Sequence, residues 1–200
     1  YEQALKYHKE ALQTRRAIPN LSLNYLARSY KNIGNDYANL NQNDKALEYR
    51  IKALDIYEKI LHRGHPELAS AYQDVGNTYR LTEIYSEALN YYLAAEKIWT
   101  RQLPQNYFQL AKCRYAIATI YWEQSFGKNK EQCEKALEYY TLALQCYEKK
   151  PKTYGKEIME CNGMIGELYL KLGRKEDAVQ YLEKKDHPVF GISKKNKGEQ

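Results

Sequence analysis

Apolar side chains recur three and four residues apart along most of the chain, and short polar stretches interrupt them. In one such segment they are Ala46, Leu47, Tyr49, Ala53, Leu54, Ile56, Tyr57, Ile60 and Leu61. The segment before it carries Leu26, Ala27, Tyr30, Ile33, Gly34, Tyr37 and Leu40 at similar separations. This spacing gathers apolar residues on one face of an α-helix. The polar break at residues 41–44 separates two such helices and predicts a helical hairpin.

The hairpin pattern repeats. An Ala-Leu-x-Tyr-like motif begins at alanines 4, 46, 88, 136 and 178, which gives steps of 42 residues and a single step of 48. A second motif, which begins at Ile33, Val75, Ile117 and Ile165, keeps the same steps. The six extra residues of the long step lie between Tyr121 and Ala136. Two matching registers predict a stack of repeated hairpins rather than one compact bundle.

Small and aromatic residues hold fixed places in the repeat. Gly34, Gly76, Ala118 and Gly166 fall in the middle of the first helix, and Ala46, Ala88, Ala136 and Ala178 near the start of the second. Mid-helix glycine costs about 1 kcal/mol relative to alanine, so we expect the missing side chain to permit close packing of the two helices. The tyrosines at 37, 79, 121 and 169 follow the apolar stripe and are predicted to fill the core.

The repeat predicts a single array over residues 1–186. It divides into a partial unit at 1–24 and units at about 25–66, 67–108, 109–156 and 157–186. Because the chain opens on a second helix, we expect it to be part of a longer array. Residues 187–200, with Lys194, Lys195 and Lys197, are expected to form a flexible basic tail.

Composition narrows the possible partners. Lys and Arg number 31 and Asp and Glu 25, a formal charge of +6 spread along the chain, which is a mild preference for acidic partners. No segment has the roughly 20 apolar residues that a membrane helix needs, so no membrane partner is expected. The four cysteines form no CxxC pair and are expected to be reduced thiols in a cytoplasmic protein. We expect no metal or other cofactor.

Enzymatic activity is not expected, because the sequence has no Gly-rich phosphate loop, HExxH motif or nucleophile elbow. Nucleic-acid binding by helical repeats would favour cations on every unit. Glu160 and Glu167 in the last unit oppose it.

The positions of Gly34, Tyr37, Ala46 and Ala53 resemble the tetratricopeptide repeat. The 42-residue step, with the turn Gly64-His65-Pro66-Glu67-Leu68-Ala69, is similar to the variety found in kinesin light chains and nephrocystin-like proteins. The resemblance covers roughly residues 1–185. It implies an all-α fold, a right-handed α-solenoid of stacked antiparallel helical hairpins, and a non-catalytic module that binds a peptide segment of another protein in a concave groove. It also implies that Asn35 and Asn77, at equivalent places, hold the backbone of that peptide.

Helical spacing selects the residues of the first helices that point away from their hairpin partner. The predicted peptide-binding residues are Arg28, Lys31, Asn35, Gln73, Asn77, Arg80, Lys112, Tyr115 and Trp122. Their cations predict an acidic peptide. Several alternatives stay open. Each asparagine can instead bond the neighbouring helix, Trp122 can pack against the inserted loop at 125–130, and the whole module can be a structural scaffold that associates through its ends or convex surface.

Overall fold

The computed structural model describes residues 1–125 and 129–186, and in these ranges every regular element is an α-helix. The helices are α1 (Glu2–Arg16), α2 (Leu23–Asn39), α3 (Asn43–Ile60), α4 (Pro66–Leu81), α5 (Tyr85–Arg101), α6 (Tyr107–Ser125), α7 (Lys130–Tyr147), α8 (Gly155–Lys171) and α9 (Lys175–Asp186). The predicted basic tail at 187–200 lies outside the described residues.

Consecutive helices pack as four hairpins, α2 with α3, α4 with α5, α6 with α7 and α8 with α9, and α1 packs on α2. The second helix of each hairpin contacts the first helix of the next. This confirms the predicted all-α repeat fold. The first helices begin at Leu23, Pro66, Tyr107 and Gly155, one or two residues before the predicted unit boundaries.

The glycines are where the two helices of a hairpin meet. A Cβ placed on Gly76 would lie 3.3 Å from the backbone oxygen of Ala88 and 3.2 Å from the Tyr92 ring. A Cβ on Gly34 would lie 3.3 Å from the oxygen of Ala46. These distances are shorter than ordinary van der Waals contacts of a Cβ, so the predicted close packing is present.

One tyrosine pair recurs in every hairpin. The ring centroids are 5.5 Å apart for Tyr37 and Tyr49, 5.5 Å for Tyr79 and Tyr91, 5.8 Å for Tyr121 and Tyr139, and 5.5 Å for Tyr169 and Tyr181. Tyr37 is buried and the other three first-helix rings are half-buried. Such offset ring contacts stabilise a core beyond their buried area, which accounts for the periodic tyrosines as packing residues.

The six inserted residues mostly extend the two facing ends of α6 and α7. Helix α6 ends at Ser125, four residues after Tyr121, whereas α2 ends two residues after Tyr37. Helix α7 begins six residues before Ala136, whereas α3 begins three before Ala46. The prediction of a surface loop over 125–130 is therefore wrong for both of its ends, and residues 126–128 lie outside the described residues.

Candidate functional site: the wall of first helices

Neighbouring first helices are joined side chain to side chain at the front of the stack. The ammonium of Lys31 on α2 donates a hydrogen bond to Ser70 Oγ at 2.9 Å and lies 3.4 Å from the Asp74 carboxylate on α4. One unit further on, Arg80 Nη1 of α4 donates to Glu123 Oε1 of α6 at 3.0 Å. The exposed face formed by α2, α4, α6 and α8 is called the first-helix wall below.

The asparagine in the first complete hairpin has a fixed orientation. Asn35 Oδ1 accepts a hydrogen bond from Arg50 Nη2 on α3 at 3.0 Å. Because a guanidinium only donates, the oxygen of this amide must face Arg50. Its NH2 group has no hydrogen-bond partner within residues 1–125 and 129–186 and is available as a donor. The contact with the neighbouring helix therefore uses only the oxygen end of the amide.

The same contact recurs at the equivalent places of the next two hairpins. Asn77 Oδ1 accepts from the hydroxyl of Tyr92 on α5, and Thr119 Oγ1 lies 3.1 Å from the hydroxyl of Tyr140 on α7. Asn77 is exposed, and in the described part of the chain its amide nitrogen also lacks a hydrogen-bond partner. The two asparagines thus present equivalent NH2 donors one repeat apart.

Arg50 is a part of the site that the sequence analysis missed. Only 9% of the residue is exposed, and Nη1 donates to the backbone oxygen of Asp74 at 2.7 Å and to Thr78 Oγ1 at 2.6 Å. Burial lowers the pKa of its guanidinium, and the charge of Asp74 acts against that shift. The equivalent places in the next two hairpins hold Tyr92 and Tyr140. An arginine at a repeat position that is otherwise aromatic was therefore the sequence signal that could have identified Arg50.

The other predicted residues divide into two groups. Gln73 is buried and its Oε1 accepts from Trp99 Nε1 at 2.7 Å, so it ties α4 to α5 and its oxygen is engaged. Arg28 and Lys112 are exposed, and neither forms an ion pair with another described residue. These two cations remain open to an anionic partner.

Tyr115 and Trp122 lie apart on the wall. The Tyr115 ring meets Tyr140 edge-on at 5.0 Å, and burial raises its pKa. The ammonium of Lys171, on α8, lies 3.7 Å from the centre of the Trp122 ring. Tyr115 lines a cleft to which Trp122 does not contribute, so the two aromatics do not share one pocket. Part of the alternative contact for Trp122, residues 126–128, lies outside the described residues.

Metal-binding clusters and membrane-spanning helices are absent from the described ranges. There, no group of three or more His, Cys, Asp or Glu side chains has the arrangement to hold a metal ion. No helix in the same ranges combines the length and hydropathy needed to cross a membrane. The four cysteines, Cys113, Cys133, Cys146 and Cys161, are free and buried.

A stack of hairpins with repeated small residues and bridged first helices defines the class of helical repeat proteins. Comparison with family profiles gives the particular family. The tetratricopeptide repeat profile matches residues 1–58 and 25–101, and the chain belongs to the tetratricopeptide repeat family. Proteins of this family are generally interaction modules without enzymatic activity. Comparison with curated proteins returned no match.

Solved structures share the fold at low sequence identity. BtubC (BKLC) from P. vanneervenii is 14% identical with a TM-score of 0.83, covering 100% of this chain and 77% of its own. A protein described as a kinesin light chain with nearly identical TPR-like repeats, from Podosopora anserina, is 14% identical with a TM-score of 0.75, covering 94% and 86%. The Rap conjugation gene regulator of plasmid pLS20, in complex with the Phr* peptide, is 21% identical with a TM-score of 0.60, covering 90% and 46%.

Proposed function

We propose that this chain binds an extended segment of a partner protein along the first-helix wall, and that Asn35 and Asn77 donate hydrogen bonds to the segment's backbone. The observation that carries the proposal is the shared orientation of the two amides. Each has its oxygen held by the second helix of its own hairpin, by Arg50 or Tyr92. A donor whose direction is already set loses little entropy when a ligand arrives.

The charge of the wall supports an acidic segment. Arg28 and Lys112 are exposed without an ion-pair partner among the described residues, and a carboxylate that bonds such a cation gains a charge-assisted hydrogen bond. Lys31 and Arg80 are less available, because Asp74 and Glu123 already contact them. We therefore place the acidic side chains of the segment opposite Arg28 and Lys112.

Two further observations are consistent with this proposal. A Rap regulator with the same fold has been solved in complex with a peptide. Four free, buried cysteines suit a reducing compartment, and we place the protein in the cytoplasm.

The test exchanges amides for carboxylates. Asn35→Asp with Asn77→Asp keeps the oxygen that Arg50 and Tyr92 contact, but replaces each NH2 donor with an acceptor. A random peptide library displayed on phage is selected against the wild type, and the affinities of selected peptides are compared by fluorescence anisotropy. We expect the double variant to lose binding at least tenfold, since about 1.4 kcal/mol corresponds to that factor.

The matched control is Asn90→Asp with Gln180→Glu, which adds the same charge at exposed amides on the second helices α5 and α9. It should bind the selected peptides as the wild type does. Equal affinity for all three proteins would contradict the assignment of the asparagines. Failure of the wild type to select any peptide would instead favour a scaffold that associates through its ends or convex surface.

A further inference from the structure

The cleft beside Tyr115 has walls of two kinds. It encloses about 380 Å³ and is lined by Phe108, Lys112, Tyr115, Tyr147, Glu157 and Glu160. The first three residues follow one face of α6, Glu157 and Glu160 stand on the first turns of α8, and Tyr147 is the last residue of α7. The α6–α8 cleft therefore lies between two first helices and is continuous with the first-helix wall.

Its aromatic side is preassembled. The Phe108 ring stacks on Tyr154 with centroids 4.9 Å apart and planes at 12°, and Tyr147 meets it edge-on at 6.2 Å. The ammonium of Lys112 already lies 5.5 Å from the Phe108 centroid. Aromatic faces attract cations at this range. The cleft thus has a position for a cation that one of its own exposed side chains occupies.

Its other side is acidic and weakly neutralised. Glu157 has no ion-pair partner in the part of the chain that the structure describes, and Glu160 contacts only the highly exposed Lys156, at 3.7 Å. Burial is the main cause that raises the pKa of Tyr147, and the charges of Glu157 and Glu160 add to it. Both carboxylates therefore act on the interior of the cleft.

Charge changes sign along the wall at one repeat position. Equivalent residues of the four first helices are Arg28, Ser70, Lys112 and Glu160. The front of the wall thus suits carboxylates, whereas its last unit suits a cation. A segment with both charges would match the wall in only one direction.

We propose that the α6–α8 cleft holds a basic side chain, an arginine or a lysine, of the partner segment, between the aromatic rings and the carboxylates of Glu157 and Glu160. This inference rests on the proposed function and adds to it the direction in which the segment lies along the wall. The segment is acidic where it passes Arg28 on α2 and Lys112 on α6, and it carries a cation where it reaches α8. On binding, the cation displaces the ammonium of Lys112 from the Phe108 ring.

A small probe tests the cleft without any peptide. Isotope-labelled protein is titrated by NMR with Nα-acetyl-arginine methylamide, and with the neutral norleucine analogue as the reference. We expect saturable shifts at residues 107–115 and 157–161 with the arginine probe only. Glu157→Gln with Glu160→Gln should weaken this binding about fivefold, because exposed ion pairs contribute up to about 1 kcal/mol in total here.

Two controls separate binding from damage to the fold. Glu134→Gln with Glu138→Gln removes the same charge from exposed positions on α7 and should leave the titration unchanged. Lys112→Ala should strengthen arginine binding, since it removes the competing ammonium, whereas a disturbed cleft would weaken it. Absent shifts, or an affinity for the arginine probe that the loss of both carboxylates leaves unchanged, would overturn the inference.

The peptide selection separates this inference from the proposed function. Peptides selected by the wild type should carry a basic residue that is lost from selections with Glu157→Gln and Glu160→Gln, while dependence on Asn35 and Asn77 persists. Selected peptides without a basic residue would overturn the inference and leave the proposed function standing. If no peptide is selected, the proposed function fails, and the arginine titration alone decides whether the cleft binds a cation.

Discussion

Arg114 of α6 and Glu96 of α5 form an ion pair of 2.8 Å at a contact between two hairpins, where each side chain is only 16% exposed. The equivalent places at the other contacts are occupied by Leu12 with Tyr30, Leu54 with Tyr72 and Leu144 with Asn162. At two of these three contacts an aliphatic and an aromatic side chain stand where α5 and α6 carry the two charges. Each charge compensates for the other in a site that is mostly buried.

This pairing predicts that the two residues depend on each other. Glu96→Leu alone leaves the Arg114 guanidinium mostly buried without its carboxylate and should lower the free energy of unfolding by about 3 kcal/mol. Glu96→Leu together with Arg114→Tyr recreates the Leu54 and Tyr72 contact and should return to within about 1 kcal/mol of the wild type. Urea unfolding followed by circular dichroism measures both. An equal loss in the single and double variants would contradict the coupling.

The contact between hairpin helices at Gly76 predicts a strong steric effect. Gly76→Leu places a side chain against the Ala88 backbone and the Tyr92 ring, and we expect it to lower the free energy of unfolding by about 3 kcal/mol. Gly64→Leu is the control, because a Cβ there has no neighbour nearer than 3.5 Å. Thermal unfolding should separate the two variants clearly. Similar unfolding temperatures for the two variants would show that the hairpin accommodates a side chain at Gly76 with little loss of stability.

The repeat made the architecture predictable because its signals are local. Helical periodicity and the steps between equivalent residues defined the four hairpins, and Gly76 already marked the tight crossing. The six-residue insertion was assigned to the right place but described as a loop, since added residues can extend a helix as readily as a loop and Gly127 and Asn129 in the sequence favoured a loop. The structure shows instead that the end of α6 and the start of α7 extend further than the equivalent ends of α2 and α3.

The predicted site was harder to obtain from the sequence. Spacing placed Lys31, Arg80 and Trp122 on the first helices, but not the partners Asp74, Glu123 and Lys171 that contact them from the neighbouring unit. Such contacts depend on how adjacent hairpins are offset. Spacing within one helix does not contain that information.

The buried cysteines predict slow thiol chemistry in the native state. Burial raises the pKa of the Cys113 and Cys161 thiols, and the Cys113 thiol also donates a hydrogen bond to the backbone oxygen of Tyr92 at 3.2 Å. Because the thiolate is the nucleophile, iodoacetamide at pH 8 should leave both residues unmodified, as mass spectrometry can show. In guanidinium chloride both should react. Rapid labelling of the folded protein would contradict their burial.

Buried tyrosines predict unfolding in alkali. Burial raises the pKa of Tyr57 from its ordinary value of 10.0 to about 12. The folded state therefore keeps a proton that the unfolded chain releases. The stabilisation that comes from this retained proton is complete below pH 10 and is lost as the pH rises through about 12. Tyr57→Phe cannot ionise, so its free energy of unfolding should fall less between pH 9 and 12, by about 2–3 kcal/mol. Parallel pH profiles of the two proteins would contradict this.

The contact between Asn35 and Arg50 predicts that Asn35→Asp, one of the two changes proposed to weaken peptide binding, will not weaken the fold. Burial lowers the pKa of the Arg50 guanidinium, which means that its positive charge is poorly solvated where it lies. Asn35→Asp places a carboxylate oxygen where Arg50 Nη2 now donates to the amide oxygen. A partly buried charged hydrogen bond of this kind is about 1 kcal/mol stronger than a neutral one.

We therefore expect the free energy of unfolding of Asn35→Asp, measured in urea at pH 7, to be about 1 kcal/mol higher than that of the wild type. The gain should disappear at pH 3, where the new carboxyl group takes up a proton. Asn35→Leu is the contrasting variant, because it removes the acceptor of Nη2 and leaves Arg50 with one more unpaired donor. It should lower the free energy of unfolding by about 2 kcal/mol. If Asn35→Asp is as unstable as Asn35→Leu, then the amide oxygen does not hold Arg50 and the fixed orientation of the NH2 donor loses its basis.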